Sequence, residues 1–222
     1  MEIEDLRLGA SVTSGDDHRL GTLSRFVLRK SDFKLTHIVV DTGILRSSEP
    51  LWKGGWGLSH DRVVPVGVLA SADPDELRLS ITAEEFRDLS IDYIRERFAT
   101  ITDDEPGRPD LSNLRRIAAS LPGEPGPYLM YDTMALAPWE ADIQKDSPVW
   151  RMNPHQKIGE VERLLVEEGT QKSVAIVVRR GHVFSKDVVL PMSYVGEVVA
   201  DIVRVDIGDD ALGDLEEYQP SA

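Results

Sequence analysis

The five histidines stand at His18, His37, His60, His155 and His182, and no two of them are four residues apart. A zinc site on one helix face needs that spacing with a glutamate beside it, so the pattern for metal-assisted hydrolysis is missing. His60-Asp61 precedes the apolar run Val63-Val64 and reads as a turn rather than a catalytic pair. His37 lies among apolar residues and reads as a barrel-wall histidine. There is no Gly-x-Ser-x-Gly elbow, no phosphate loop ending in Gly-Lys-Ser/Thr and no Gly-x-Gly-x-x-Gly fingerprint. The chain has no cysteine, which removes disulfides, thiolate nucleophiles and cysteine-held zinc or iron–sulfur clusters. The acidic pairs Asp16-Asp17, Glu167-Glu168, Asp209-Asp210 and Glu216-Glu217 and the run Asp103-Asp104-Glu105 fall at turns and helix starts, where carboxylates cap or are solvated. None follows the alternating ligand loop that calcium requires. The expectation is a protein that is not an enzyme, with no catalytic residue, no cofactor and no metal site.

The residues left to carry function are aromatic. Trp52 and Trp56 lie on a glycine-rich stretch, Trp52-Lys53-Gly54-Gly55-Trp56-Gly57. Tryptophan is enriched where proteins bind one another. Two roles stand for these rings: covering a barrel end or the gap between two barrels, or, where exposed, forming a partner surface. Tyr128, Tyr131 and Trp139 lie in a stretch too apolar for a free tether. It either packs on a barrel or docks on a partner. Trp52, Trp56, Tyr128, Tyr131 and Trp139 are therefore the candidate partner-binding residues.

Charge narrows the partner. Thirty-nine acidic against 25 basic residues leave a net charge of −14 over 222 residues. Phosphate backbones and anionic lipid both call for clustered Lys and Arg, so no direct contact with nucleic acid is expected. The charge reads first as serving solubility, with a basic protein or ribosomal surface open as partner and a homo-oligomer open as well. No run of 18 apolar residues is present, and the acidic start Met1-Glu2-Ile3-Glu4-Asp5 lacks the features of a secretion signal, so a cytoplasmic protein without a membrane span is expected.

The elements that position these residues come from an internal repeat. The segment from Arg19 to Leu28 aligns with that from Lys157 to Val166, placing Gly21 on Gly159. Ile38-Val39-Val40 then falls on Ile176-Val177-Val178, and Gly43 on Gly181, with 22 residues between the glycines in both copies. From Gly43 to Pro65 is 22 residues but from Gly181 to Pro191 only 10, so the first copy carries 12 extra residues, the Trp-rich insertion. Pro65 to Ile81 and Pro191 to Ile207 are both 16. Within the first copy, Ser14-Gly15-Asp16-Asp17 is a turn, 20–29 and 35–41 form a hairpin, and 63–66 and 76–81 are further strands around a turn at 71–75. Thr82-Ala83-Glu84-Glu85 is a capping box, opening a short helix that runs on irregularly through Ile91-Asp92-Tyr93-Ile94. Asp209-Asp210 leads into its counterpart. Many short strands with no long helix between them imply closed antiparallel barrels.

Gly9, Val12, Leu20-Gly21, Ile38-Val39-Val40, Val64-Pro65-Val66, Leu77 to Ile81 and the helix from Thr82 together resemble the PRC-barrel family. That module is found in the photosynthetic reaction-centre H subunit and in a ribosome maturation factor. The resemblance covers 5 to about 92 well and holds more weakly from about 145 to 218. It implies binding and scaffolding, and brings no catalytic residues with it.

The expected fold class is mainly β: two small antiparallel PRC-barrel-like barrels joined by a linker with a short helix, able to pack face to face as a pseudo-dimer. The expected divisions are a first barrel at 1–95, a linker with a helix near Ser112 to Ala119 and Pro/Gly-rich segments at 96–144, and a second, diverged barrel at 145–222. The expected function is a non-catalytic, protein-binding adaptor or assembly module. The alternatives are an accessory subunit tuning electron or proton transfer in a membrane complex, or a ribosome or RNA-processing assembly factor.

Overall fold

The computed structural model describes residues 3–43, 61–73, 75–100, 128–134, 136–181, 186–199 and 201–220. In chain order the elements are β1 (Ile3–Arg7), β2 (Ser11–Thr13), β3 (Arg19–Arg29), β4 (Leu35–Asp41), β5 (Asp61–Pro65), β6 (Leu69–Asp73), β7 (Glu76–Leu79), α1 (Ala83–Leu89) and β8 (Ile91–Asp92). They continue with β9 (Ile94–Thr100), β10 (Tyr128–Met134), β11 (Glu140–Gln144), β12 (Pro148–Arg151), β13 (Gln156–Glu167), β14 (Lys172–Arg180), β15 (Lys186–Pro191), β16 (Val195–Val199), β17 (Ile202–Val205) and α2 (Asp209–Gly213). A 3-10 turn follows the proline in each half, at Val66–Val68 and Met192–Tyr194. The protein is mostly β, with two barrel-like domains.

Residues 1–93 and 136–222 make one compact unit, and 94–135 another. The smaller unit contains an antiparallel ribbon, with β10 paired to β9 from Tyr128↔Thr100 to Met134↔Ile94. The larger unit holds two curled sheets of matching design. In the first the strand order is β6-β7-β2-β3-β4-β5-β8, in the second β15-β14-β13-β12-β17-β16. Each contains one parallel pair, β2 with β7 and β12 with β17, where the chain returns to close the curl.

The aligned glycines have one reason in common. A Cβ at Gly21 would collide with the backbone carbonyl of Asp41, and at Gly159 with that of Arg179. Only a residue without a side chain lets the long strand cross its hairpin partner this closely. Between β3 and β4, and again between β13 and β14, the register shifts at bulges that bend the strands into the curl.

Two strands absent from the sequence reading join the barrels. β1 pairs with β13 of the second sheet, Ile3↔Glu167 to Arg7↔Arg163. β11, inside the stretch expected as linker, pairs with β3 of the first, Glu140↔Arg29 to Gln144↔Arg25. Each half thus lends its first strand to the other. The hairpin tips also meet across the same divide, at the Lys34↔Lys172 bridge and where Leu35 N donates to Gln171 O at 3.0 Å. The result is a single apolar core, with Leu6, Phe26, Leu35 and Ile38 in one cluster with Ile143, Leu164, Ile176 and Val203.

Five local expectations change: the strand expected at 63–66 runs from Asp61 to Pro65 with Val66 in the 3-10 turn, and that expected at 76–81 ends at Leu79. The segment 71–75 is not all turn, since β6 runs to Asp73. The helix does not continue into 91–94. It ends at Leu89, because Arg62 Nε donates to Ser90 Oγ at 2.9 Å and Arg62 Nη2 to Ser90 O at 2.7 Å, and these bonds pull the chain into β8 beside β5. The strand 20–29 extends one residue earlier, to Arg19. The helix expected near Ser112 to Ala119 and the Trp52–Trp56 insertion lie outside the described residues. The capping box at Thr82 and Glu85 forms as expected.

Replacing Gly159 by Ala should lower stability by roughly 1–3 kcal/mol, the usual cost of overpacking a closed site. Gly21→Ala should behave alike, while Gly208→Ala, which meets nothing within 4 Å, should not. Chemical denaturation of the three variants checks this.

Candidate functional site

The exchanged strands are fastened by two matching clusters. In the first, Arg25 on β3 donates from Nη1 to Asp142 Oδ2 on β11 at 2.8 Å. Tyr93 OH donates to the same oxygen at 2.7 Å, and the Arg25 guanidinium lies 4.8 Å over the Tyr93 ring. In the second, Arg163 on β13 donates from Nη1 to Asp5 Oδ2 on β1 at 2.9 Å, Tyr218 OH donates to that oxygen, and the Arg163 guanidinium lies 5.0 Å over the Tyr218 ring. In both, the aspartate sits diagonally across from the arginine, since Asp142 is opposite Val27 and Asp5 opposite Leu165. Tyr93 N donates to Asp61 O at 2.9 Å and Tyr218 N to Asp187 O at 2.8 Å, so each tyrosine is held by the strand after the hairpin. Arg25 and Arg163 already align in the repeat. Their aspartates do not announce themselves, because they come from the opposite half.

Burial shapes the protonation of these clusters. Burial and the Asp142 carboxylate push the Tyr93 hydroxyl up, and burial with Asp5 pushes Tyr218 up to about 12. Both phenols stay protonated and act as donors. The first cluster is the more acidic. Arg25 also faces Asp201 at 3.6 Å and Asp61 at 3.8 Å. Burial first, and Asp142 second, raise the Asp201 carboxyl.

A different part of the unit displays a ring. Trp139 sits in the turn before β11 and is 65% exposed. The turn is pinned from below: Glu140 N donates to Ala137 O at 2.9 Å and Ala137 N to Glu140 Oε2 at 3.1 Å. Lys30 N donates to Trp139 O at 2.9 Å, and Lys30 Nζ to Pro138 O at 2.9 Å. Thr36 Oγ1 donates to Glu140 Oε1 at 2.7 Å, and His37 Nδ1 lies 3.4 Å from the same oxygen. His37 is thus a half-buried support of this turn.

Of the other candidates, Tyr128 and Tyr131 fall on β10 of the ribbon, opposite Thr100 and Arg97. Trp52 and Trp56 lie outside the described residues. His60 lies there too, and Asp61 is a buried strand residue beside Arg25. His155 stacks on Trp150 with ring centroids 4.6 Å apart, a contact the sequence does not suggest. A cleft of 900 Å³ beside Gly159 is lined by Lys157, Glu160, Arg179, Lys186 and Asp187. Its cations are tied to carboxylates: Lys157 to Glu160 at 2.6 Å, Arg179 to Glu162 at 2.6 Å and Lys186 to Glu217 at 3.6 Å. Among the described residues no helix is long and apolar enough to cross a membrane.

The PRC-barrel domain family matches residues 145–212. The match falls on the half in which the sequence pattern is the weaker. No curated protein matches the chain.

Asp201→Asn should raise stability at neutral pH and flatten its pH dependence. The raised carboxyl contributes stability as the protonated form, fully below its ordinary value of 3.8, and that contribution is lost as pH rises through the folded value. Denaturation midpoints from pH 4 to 8 check this. Asp5→Ala should cost about 3–5 kcal/mol, since it strands the largely buried Arg163 guanidinium, whereas Asp142→Ala should cost less because Arg25 keeps Asp61 and Asp201.

Proposed function

We propose that a chain whose second barrel is a PRC-barrel domain acts as a non-catalytic adaptor or assembly module, with the first barrel another copy of the same fold. The observation that carries this reading is Trp139: a large ring 65% exposed on a turn fixed by five hydrogen bonds. A rigid, exposed tryptophan costs little conformational entropy to bury, which is why such residues dominate interfaces. The strand exchange supports the same reading, because it fixes the spacing between surfaces on the two halves. The net charge of −14 favours a basic protein as partner.

Affinity capture from the native lysate with the full chain tests it. A partner of basic composition should be recovered, its yield falling as salt rises from 50 to 500 mM. Trp139→Ala should reduce recovery at least tenfold while changing stability by no more than about 0.5 kcal/mol, as for an exposed site. Recovery of the chain alone would overturn the adaptor reading.

A further inference from the structure

The matching design of the two barrels provides a comparison in which the backbone is held constant. β6, β7 and β2 lie side by side in the first, and β16, β17 and β12 in the second. Thr13 pairs with Arg78, as Trp150 does with Arg204. Ser71 pairs with Arg78, as Glu197 does with Arg204. The inward residues are apolar in both: Val12 and Leu77 in one, Val149 and Val203 in the other.

The outward residues differ in kind. Ser11 is matched by Pro148, Thr13 by Trp150, Glu76 by Ile202 and Asp73 by Val199. Only Arg78 and Ser71 meet polar counterparts, Arg204 and Glu197. An outer barrel face alternates polar against an apolar interior when water covers it. The first barrel obeys that rule and the second breaks it at four of six positions. Val199 is 43% exposed, and Met152, just past the end of β12, is 47% exposed. Trp150 is half-buried, with His155 stacked on it. The local charges cancel, since Arg204 is bonded to Glu197 at 2.5 Å and Lys157, opposite Trp150, to Glu160 at 2.6 Å.

We infer that the outer face of the second barrel, centred on Trp150, Ile202 and Val199, is a docking surface for a basic protein that presents an apolar anchor. The apolar strip supplies the attraction. The charge of the body selects the occupant, because a second copy would bring another −14 and anionic lipid or nucleic acid would be repelled in the same way. This inference rests on the adaptor reading and adds the face and the class of partner.

The test places a photo-cross-linking residue at position 199 of the full chain and, in a parallel chain, at the matching position 73. Both are irradiated in the native lysate, and the adducts are identified by mass spectrometry. The expected result is a protein of net positive charge labelled from 199 at least tenfold more than from 73. The label should fall more than tenfold in a Pro148→Ser, Trp150→Thr, Ile202→Glu variant, whose new residues the first barrel already carries at these positions. Circular dichroism melting shows whether that variant folds; if it does not, the comparison of 199 with 73 still decides. Equal labelling from both positions overturns the inference. So does a label from 199 confined to this chain, to an acidic protein, to nucleic acid or to lipid. A partner captured by affinity but never labelled from 199 removes this face and leaves the adaptor reading standing. Absence of any partner by either method removes both.

Discussion

The exchange of two short strands is the constraint on which the rest of the larger unit depends. β1 pairs with residues about 160 positions away, and β11 reaches back about 115. Without these strands, β3 and β13 would each expose the half of one edge that β2 and β12 do not reach. Open edges are sites of unwanted pairing, and closing them across the two halves removes that hazard. It also removes the option of two independent folding units. The core residues of both halves form one cluster, and the loop-closure entropy of joining distant strands must be met before that cluster is complete.

The arginine–aspartate–tyrosine clusters explain how strands of five residues hold their register. A one-residue slip would turn Leu6 or Ile143, both fully buried, toward solvent. It would also part Asp5 from Arg163 or Asp142 from Arg25. Each aspartate oxygen accepts from both a guanidinium and a phenol, so the charge taken from water is partnered from two directions. The two clusters are not equivalent in charge. The second sets one carboxylate against Arg163 among its ion pairs, whereas the first gathers Asp61, Asp142 and Asp201 around Arg25. The first carries excess negative charge, and burial first, with Asp142 second, raises the Asp201 carboxyl there.

Much of the scaffold was legible because its determinants are local. The close crossings of Gly21 and Gly159, the prolines before each 3-10 turn, the hairpin of β3 and β4 and the Thr82 capping box all follow from residues near one another in the chain. The exchanged strands were not legible for the opposite reason. Ile3–Arg7 and Glu140–Gln144 are short and carry charges, and what makes them strands is a partner on the far side of the molecule. The end of α1 was missed likewise, since the residue that stops it is Arg62. Of the candidate site, Trp139 was identified as an aromatic in an apolar stretch. Its exposure depends on the turn that Lys30, Thr36 and Glu140 build, which no spacing reveals.

A duplicated barrel offers two ways for function to settle on one copy. An insertion such as the 12 extra residues between Gly43 and Pro65 adds new chain with no counterpart in the other half. Substitution on a shared backbone is more informative, because every other cause of a residue's identity is held constant. Polar residues at Ser11, Thr13, Glu76 and Asp73 demonstrate that the fold itself has no need of apolar groups on that outer face. Trp150 keeps a stacking contact with His155, but the exposed Val199 would weaken solubility with no gain in stability if water were its only neighbour. The proposed docking role would supply a reason for them outside the fold. The scaffold keeps both halves in one register through its exchanged strands, so a partner seated on the second barrel would stand at a fixed distance from anything that Trp139 holds on the first.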